Sequence, residues 1–260
     1  MILTVDIGNT TVTLCGVKRS LEQNYHVTFS AKMDTLKDKG FGFYLEAMHQ
    51  KLIENGMFPN CFEGAVLACV VPDLLDPIRT AIGALIKKEP LLISADSKLG
   101  FSADVKNIRQ VGLDRLADAA WATENYPLPI VTVDMGTATT FNVIDKRKIF
   151  RGGVIAAGLE TCLNALSAKA SQLPEIRLCT PEHIIGKDTT ECMLSGAVMG
   201  TAAMIDGIVF GIEQELGEEV TLLITGGLAS FVAPLCRHQL IYDPELLPKG
   251  LALLYDKNKE

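Results

Sequence analysis

The segment Thr4-Val5-Asp6-Ile7-Gly8 returns 128 residues later as Thr132-Val133-Asp134-Met135-Gly136, and each copy runs through a threonine-rich stretch into a further apolar segment. β-Branched residues leading to an aspartate, then a glycine that admits a tight turn, then β-rich sequence again, describe a strand, a loop and a returning strand. In a chain of 260 residues the offset is close to half the length. It predicts a duplicated α/β unit, in a chain near the size at which one core tends to split in two. Two such units facing each other would set their acidic strand ends across one cleft.

The remaining pattern agrees with an α/β chain. Strands are expected over 1–7, from Thr11 to Val17 and from His26 to Phe29, and a helix over 42–54, where Phe43, Leu45, Met48 and Leu52 recur at helical spacing. The run from Gly64 to Val71 reads as a buried strand stopped by Pro72, followed by a helix from Leu74 to Leu85 and a short strand from Leu91 to Ile93. The polar stretch 94–112 reads as loop, and a helix begins near Asp114 with Leu116, Ala120 and Trp121 on its apolar face. The lobe boundary is expected within 110–128, giving domains 1–115 and 116–260. In the second half, strands are expected over 138–144 and 148–155 and from Thr221 to Thr225. Leu159, Leu163, Leu166, Ala170 and Leu173 mark the core face of a helix ending before Pro174. An apolar helix over 190–216 is punctuated by Gly196, Gly200 and Gly207, and shorter helices follow from Leu228 to Leu235 and near 248–256.

Composition excludes several classes of partner. A net charge of −7 disfavours broad attraction to nucleic acid or to an anionic membrane, while leaving room for a local cationic pocket. Seven scattered cysteines without a CxxC pair, several inside apolar runs, read as reduced, buried thiols, and four dispersed histidines give little support to a zinc site. The N-terminus enters a strand pattern at once, no signal peptide is evident, and no stretch is expected to reach the length of a membrane span. A cytoplasmic protein is expected.

Asp6 and Asp134 are the first candidates for chemistry. Each ends a strand beside a glycine turn whose amides and hydroxyls can donate to phosphate oxygens, and each carboxylate can bind Mg²⁺ or metal-bound water. The alternative is an Asx-type turn cap. Around them stand Gly8, Asn9 and Thr10 in the first turn, and Gly136, Thr137, Thr139 and Thr140 in the second. Strand alternation keeps some of these threonines out of any one cleft, which favours Thr137 in the turn. Gly226-Gly227 after a strand would let a nucleotide approach, or serve only a turn. Asp114-Arg115 pairs a possible base with a fixed positive donor, or is a helix cap followed by a surface arginine. The sequence has neither a Walker loop nor a dinucleotide-binding fingerprint, so ATP binding would need other architecture.

In order along the chain, DIGNT at 6–10, CVVP at 69–72, VGLDR at 111–115, DMGTATTFNVID at 134–145, GGVIAAGL at 152–159, TGGLA at 225–229 and DPELLPKGL at 243–251 resemble the type III (CoaX-type) pantothenate kinase family. The resemblance runs essentially end to end. It implies an α/β fold of duplicated ribonuclease-H-like (actin-like ATPase) domains with a nucleotide cleft between them, and ATP-dependent phosphorylation of pantothenate, the first step of coenzyme A biosynthesis. It places Asp6 near Mg²⁺ and the ATP phosphates with Gly8, Asn9 and Thr10, and Asp114 as the general base. It places Gly112 and Arg115 at the pantothenate pocket, Gly136 and Thr137 in the second phosphate turn, and Gly226 and Gly227 in the nucleotide-side loop. Asp134 matches a residue associated with K⁺ or NH₄⁺, and Thr189 one that reaches the substrate site from the partner subunit of a homodimer. Three stretches depart from the family pattern. Val105-Lys106-Asn107-Ile108 stands for a Tyr-x-Asn-Pro segment, Ala157 for the proline of GGxIxPG, and Asp188-Thr189 for an Asn-Thr pair.

Overall fold

A computed structural model describes residues 1–20, 24–170 and 172–259. In chain order the first elements are β1 (Ile2–Ile7), β2 (Thr11–Arg19), β3 (Tyr25–Asp34), α1 (Phe41–Glu54), β4 (Gly64–Cys69), α2 (Pro72–Ile86), β5 (Leu91–Leu92), β6 (Ser102–Ala103) and α3 (Leu113–Asn125). They continue with β7 (Ile130–Met135), β8 (Ala138–Ile144), β9 (Ile149–Ala157), α4 (Leu159–Lys169), α5 (Thr189–Leu194), α6 (Gly200–Leu216), β10 (Thr221–Thr225), α7 (Ala229–Val232), β11 (Leu240–Tyr242) and α8 (Leu246–Asn258).

The two sheets repeat one plan. The first has the order β3-β2-β1-β4-β5, and the second, read from its other end, β6-β9-β8-β7-β10-β11. In each, the strand carrying the aspartate pairs antiparallel with the strand after it and parallel with a later one, Asp6 facing Thr13 and Ala68, Asp134 facing Thr140 and Thr225. The repeated pentapeptide therefore marks equivalent central strands in two copies of one topology.

Two compact units result. Unit 1 comprises Met1–Gly100, Lys106–Glu124 and Glu245–Glu260, and unit 2 comprises Phe101–Val105 and Asn125–Pro244. A cut at 115/116 divides α3, which these units keep together up to Glu124. The reason is α8, which returns to α3: Gly250 lies against the Ala117 carbonyl with no room for a Cβ, and Lys249 stands 5.9 Å above the Trp121 ring.

In unit 1, α1 and α2 present Tyr44, Met48 and Leu52, and Leu74, Ile78, Ile82 and Leu85, to Leu3, Val5, Ile7 and Leu14 of the sheet. Each such side chain, fully buried, contributes about 1.5–3 kcal/mol relative to exposure. Unit 2 is built alike from Val131, Val133, Phe141 and Ile224 of its sheet with Val198, Ala202, Ile205 and Val209 of one long helix.

Three expectations need correction. Of the seven cysteines only Cys15 is buried, while Cys61, Cys162, Cys179 and Cys192 are exposed. The 28-residue helix Thr189–Leu216 does reach the length and apolarity of a membrane span. It joins α5 to α6 through a π-helical segment, Ser195–Met199, and lays Val198, Ala202, Ile205 and Val209 into the unit 2 core. The leucine stripe from Leu159 to Leu173 is not one core face. α4 ends at Lys169 because Ala170 turns extended, only Leu159 and Leu163 are buried, and Leu166 is 45% exposed.

Candidate active site

The first turn is braced from outside the strand pair. Gly8 N–H donates to the Thr11 carbonyl at 3.0 Å, closing the turn between β1 and β2, and Thr35 at the end of β3 ties it down twice. Its hydroxyl donates to the Gly8 carbonyl at 2.7 Å and its N–H to the Thr10 carbonyl at 2.9 Å. Carbonyls thus occupied leave Asn9 and Thr10 exposed on the outer side of the turn, with Asp6 half-buried beneath them. The Asp6 carboxylate is close enough to Cys15 and Cys69 to push both thiols up in pKa, in addition to the larger effect of their burial.

The second turn is braced differently. Gly136 N–H donates to the Ala138 carbonyl at 3.1 Å, and the Thr137 carbonyl accepts from Gly158 N–H at 3.1 Å and from the Thr161 hydroxyl at 2.8 Å. Gly158 is required here because a Cβ would overlap the Gly136 and Thr137 carbonyls. Gly226, at φ +97°, closes the other side: its Cβ would lie 2.5 Å from Asp134 Oδ1 and 2.5 Å from the Met135 nitrogen. The threonines separate as strand alternation requires. Thr137 is exposed in the turn, Thr139 is fully buried, and Thr140 stands opposite Asp134.

At the start of α3, the Arg115 N–H donates to Asp114 Oδ1 at 2.8 Å, and Leu116 N–H to the Gly112 carbonyl at 3.2 Å opens the helical ladder. A Cβ on Gly112 would fall on that same Oδ1. Burial pulls the Arg115 guanidinium below its ordinary pKa, and the Asp114 carboxylate acts in the opposite direction. One Asp114 oxygen is thus engaged by the first turn of α3, in which Asp114 is the second residue.

Thr189 opens α5 and is exposed. Asp188 caps the helix by accepting from Glu191 N–H at 2.8 Å, while the Glu191 carboxylate accepts from Lys187 N–H at 2.7 Å. Both Asp188 and Thr189 line a cavity of about 670 Å³ whose apolar wall includes Leu163, Leu166, Leu173 and Met193. Sequence reasoning missed this cavity by assigning its leucines to the core. The available signal was Gly196, with nothing within 4 Å of its Cβ position, and Ala197, small residues of the same lining.

Among the described residues, no group of three or more His, Cys, Asp or Glu side chains could hold a metal ion. A single carboxylate at each turn suits Mg²⁺, which keeps waters and takes phosphate oxygens as further ligands. At Asp134 the donor set is richer: a carboxylate walled by backbone, with the buried Thr140 hydroxyl lacking any hydrogen-bond partner on the facing strand.

The family model described as type III pantothenate kinase matches residues 2–210. The chain belongs to that family. A type III pantothenate kinase from Exiguobacterium sibiricum is 35% identical over 261 residues, covering 100% of both chains. Among solved structures, a protein from Campylobacter jejuni described as a Baf family transcriptional activator is similar with TM-score 0.60 and 18% identity, covering 98% of this chain and 97% of the other. One from Sinorhizobium meliloti described as a 2-dehydro-3-deoxygalactonokinase has TM-score 0.56 and 11% identity, covering 98% of each chain. At these identities the two structures speak for the fold alone, an α/β architecture with two sheets.

The three departures from the family pattern have local structural outcomes. Val105 packs 3.6 Å from where a Cβ on Gly152 would stand, and Asn107 still acts as a cap, accepting from Arg109 N–H at 3.1 Å. Ala157, in the proline position, is the last residue of β9 and pairs with Ala138. Asp188 serves as helix N-cap, a role that asparagine fills equally well.

Proposed function

We propose that this chain transfers the γ-phosphoryl group of ATP to the primary hydroxyl of pantothenate, giving 4′-phosphopantothenate on the way to coenzyme A. The observation that carries this reading is the equivalent placing of Asp6 and Asp134, each the penultimate residue of a central strand and each followed by a braced glycine turn. Membership of the pantothenate kinase family supplies the acceptor.

Gly8, Asn9 and Thr10 offer amides and a hydroxyl to phosphate oxygens, as do Gly136 and Thr137, and Gly226-Gly227 takes the nucleotide side. Mg²⁺ held by Asp6 would neutralise charge on the phosphates. Asp134 would hold a monovalent cation, K⁺ or NH₄⁺. Asp114 receives the proton of the attacking hydroxyl, a positioned transfer worth on the order of 10²- to 10⁴-fold in rate. Arg115 holds the pantothenate carboxylate and Gly112 borders the same pocket. Thr189 reaches the acceptor of the partner subunit in a homodimer, and the enzyme works in the cytoplasm without nucleic acid or membrane.

The test is ADP release by purified protein with ATP, Mg²⁺ and K⁺ or NH₄⁺, comparing pantothenate with other small alcohols. Pantothenate-dependent turnover is expected. Its absence across a broad concentration range defeats the assignment, and turnover with another alcohol alone reassigns the acceptor. Asp114→Asn should remove most activity in a folded protein; near-normal turnover would eliminate the proposed base.

A further inference from the structure

Asp134 on β7 is in register with Thr140 on β8 and with Thr225 on β10, so three oxygen-bearing side chains form one row across the same face of the second sheet. Directly opposed residues of an antiparallel pair hold their Cβ atoms about 4.5–5.5 Å apart, within reach of one shared ion. The Thr140 hydroxyl is buried and has no hydrogen-bond partner. Native proteins rarely keep such a group unless something other than protein satisfies it. Gly226 brings backbone directly against Asp134 Oδ1, which bounds the space beside the carboxylate.

The first sheet supplies an internal comparison. Thr13 faces Asp6 in the equivalent position, but it is not a buried orphan, and the parallel neighbour there is Ala68 rather than a threonine. The unsatisfied oxygen is thus specific to the Asp134 copy. Neutral oxygen ligands replacing hydration, with one carboxylate for charge, are the donor set that a weakly hydrated monovalent cation takes.

We propose that the Thr140 hydroxyl oxygen is a second protein ligand, beside Asp134, of a bound K⁺ or NH₄⁺ ion. The inference rests on the reading of Asp134 as the cation residue, and it adds a residue that the sequence passed over in favour of Thr137.

The test reads binding through stability. Thermal midpoints are measured with Mg²⁺ and a non-hydrolysable ATP analogue throughout, titrating KCl against tetramethylammonium chloride at constant ionic strength. The wild-type midpoint should rise with K⁺, and Asp134→Asn should abolish the rise. Thr140→Val should be at least as stable as wild type in tetramethylammonium, having lost only an unsatisfied hydroxyl, yet should need about tenfold more K⁺ for half the rise. Thr140→Ser should titrate like wild type. A Thr140→Val variant that keeps the wild-type K⁺ midpoint while Asp134→Asn loses it overturns the Thr140 assignment and leaves Asp134 standing. A Thr140→Val variant destabilised without K⁺ shows the hydroxyl serving the fold, which also overturns it. No K⁺ response in the wild type removes both.

Discussion

A methyl group on Gly112 would fall on Oδ1 of Asp114, the oxygen that the Arg115 amide holds at 2.8 Å. The glycine thereby leaves the room in which the proposed base is fixed. Gly112→Ala should displace the carboxylate without unfolding the protein, because the clash meets the far end of a side chain rather than backbone. Misplacing a catalytic group by an ångström costs on the order of 10²-fold. Steady-state kinetics should show kcat falling by about that factor, with the thermal midpoint little changed; an unaltered kcat would separate Gly112 from Asp114.

Gly158 meets backbone instead. Its Cβ would collide with the Gly136 and Thr137 carbonyls, which cannot rotate away, so Gly158→Ala must move the second turn or the start of α4. A loss of about 1–3 kcal/mol is expected, together with a raised KM for ATP. Gly211 in α6 has nothing within 4 Å of its Cβ position, and Gly211→Ala should stabilise by about 0.5–1 kcal/mol. Urea unfolding of the two variants checks the opposite signs.

Much of this was legible in the sequence, because successive side chains of a β-strand point to opposite faces. Thr132-Val133-Asp134-Met135 gives Val133 and Met135 to the core and Asp134 to the other face, as the structure has it. The duplication was visible because the pentapeptide at Thr4 recurs at Thr132. Tertiary effects were less accessible. Leu163, Leu166 and Leu173 have helical spacing whether they fill a core or wall a cavity, and the structure puts all three in the cavity lining. The importance of Thr140 was hidden too, since an unsatisfied hydroxyl is a property of neighbours on β7 and β9 that no local pattern records. Nor could spacing show that α8 returns to α3.

The departure at Asp188 is expected to be conservative. Its carboxylate caps α5 through the Glu191 amide, and an asparagine oxygen accepts the same bond. Asp188→Ala should cost about 1 kcal/mol while Asp188→Asn stays near the wild type, read by thermal or urea unfolding. Pantothenate KM should follow the same order, because the cap sets the position of Thr189. Equal losses for both variants would mean that charge, not capping, matters there.

His238 sits between two carboxylates, with Nδ1 3.2 Å from Asp206 and Nε2 3.3 Å from Glu213. Burial alone would lower its pKa, but hydrogen bonding to Asp206 and Glu213 outweighs this and raises it above the ordinary 6.5. Asp206 moves the other way: burial would raise it, but the Arg237 and His238 amides and the imidazole hold it below the ordinary 3.8. A raised histidine stabilises the fold fully below its unfolded pKa, and that contribution disappears as pH rises through the folded value. A depressed carboxylate contributes above its unfolded pKa and loses its contribution as pH falls through the folded one. Both act together between about pH 4 and 6.5. The stability gap between wild type and His238→Gln should therefore be widest there and shrink toward about pH 9. Urea unfolding of the pair across that range measures it, and a gap that widens on the alkaline side would show that His238 is neutral in the folded protein.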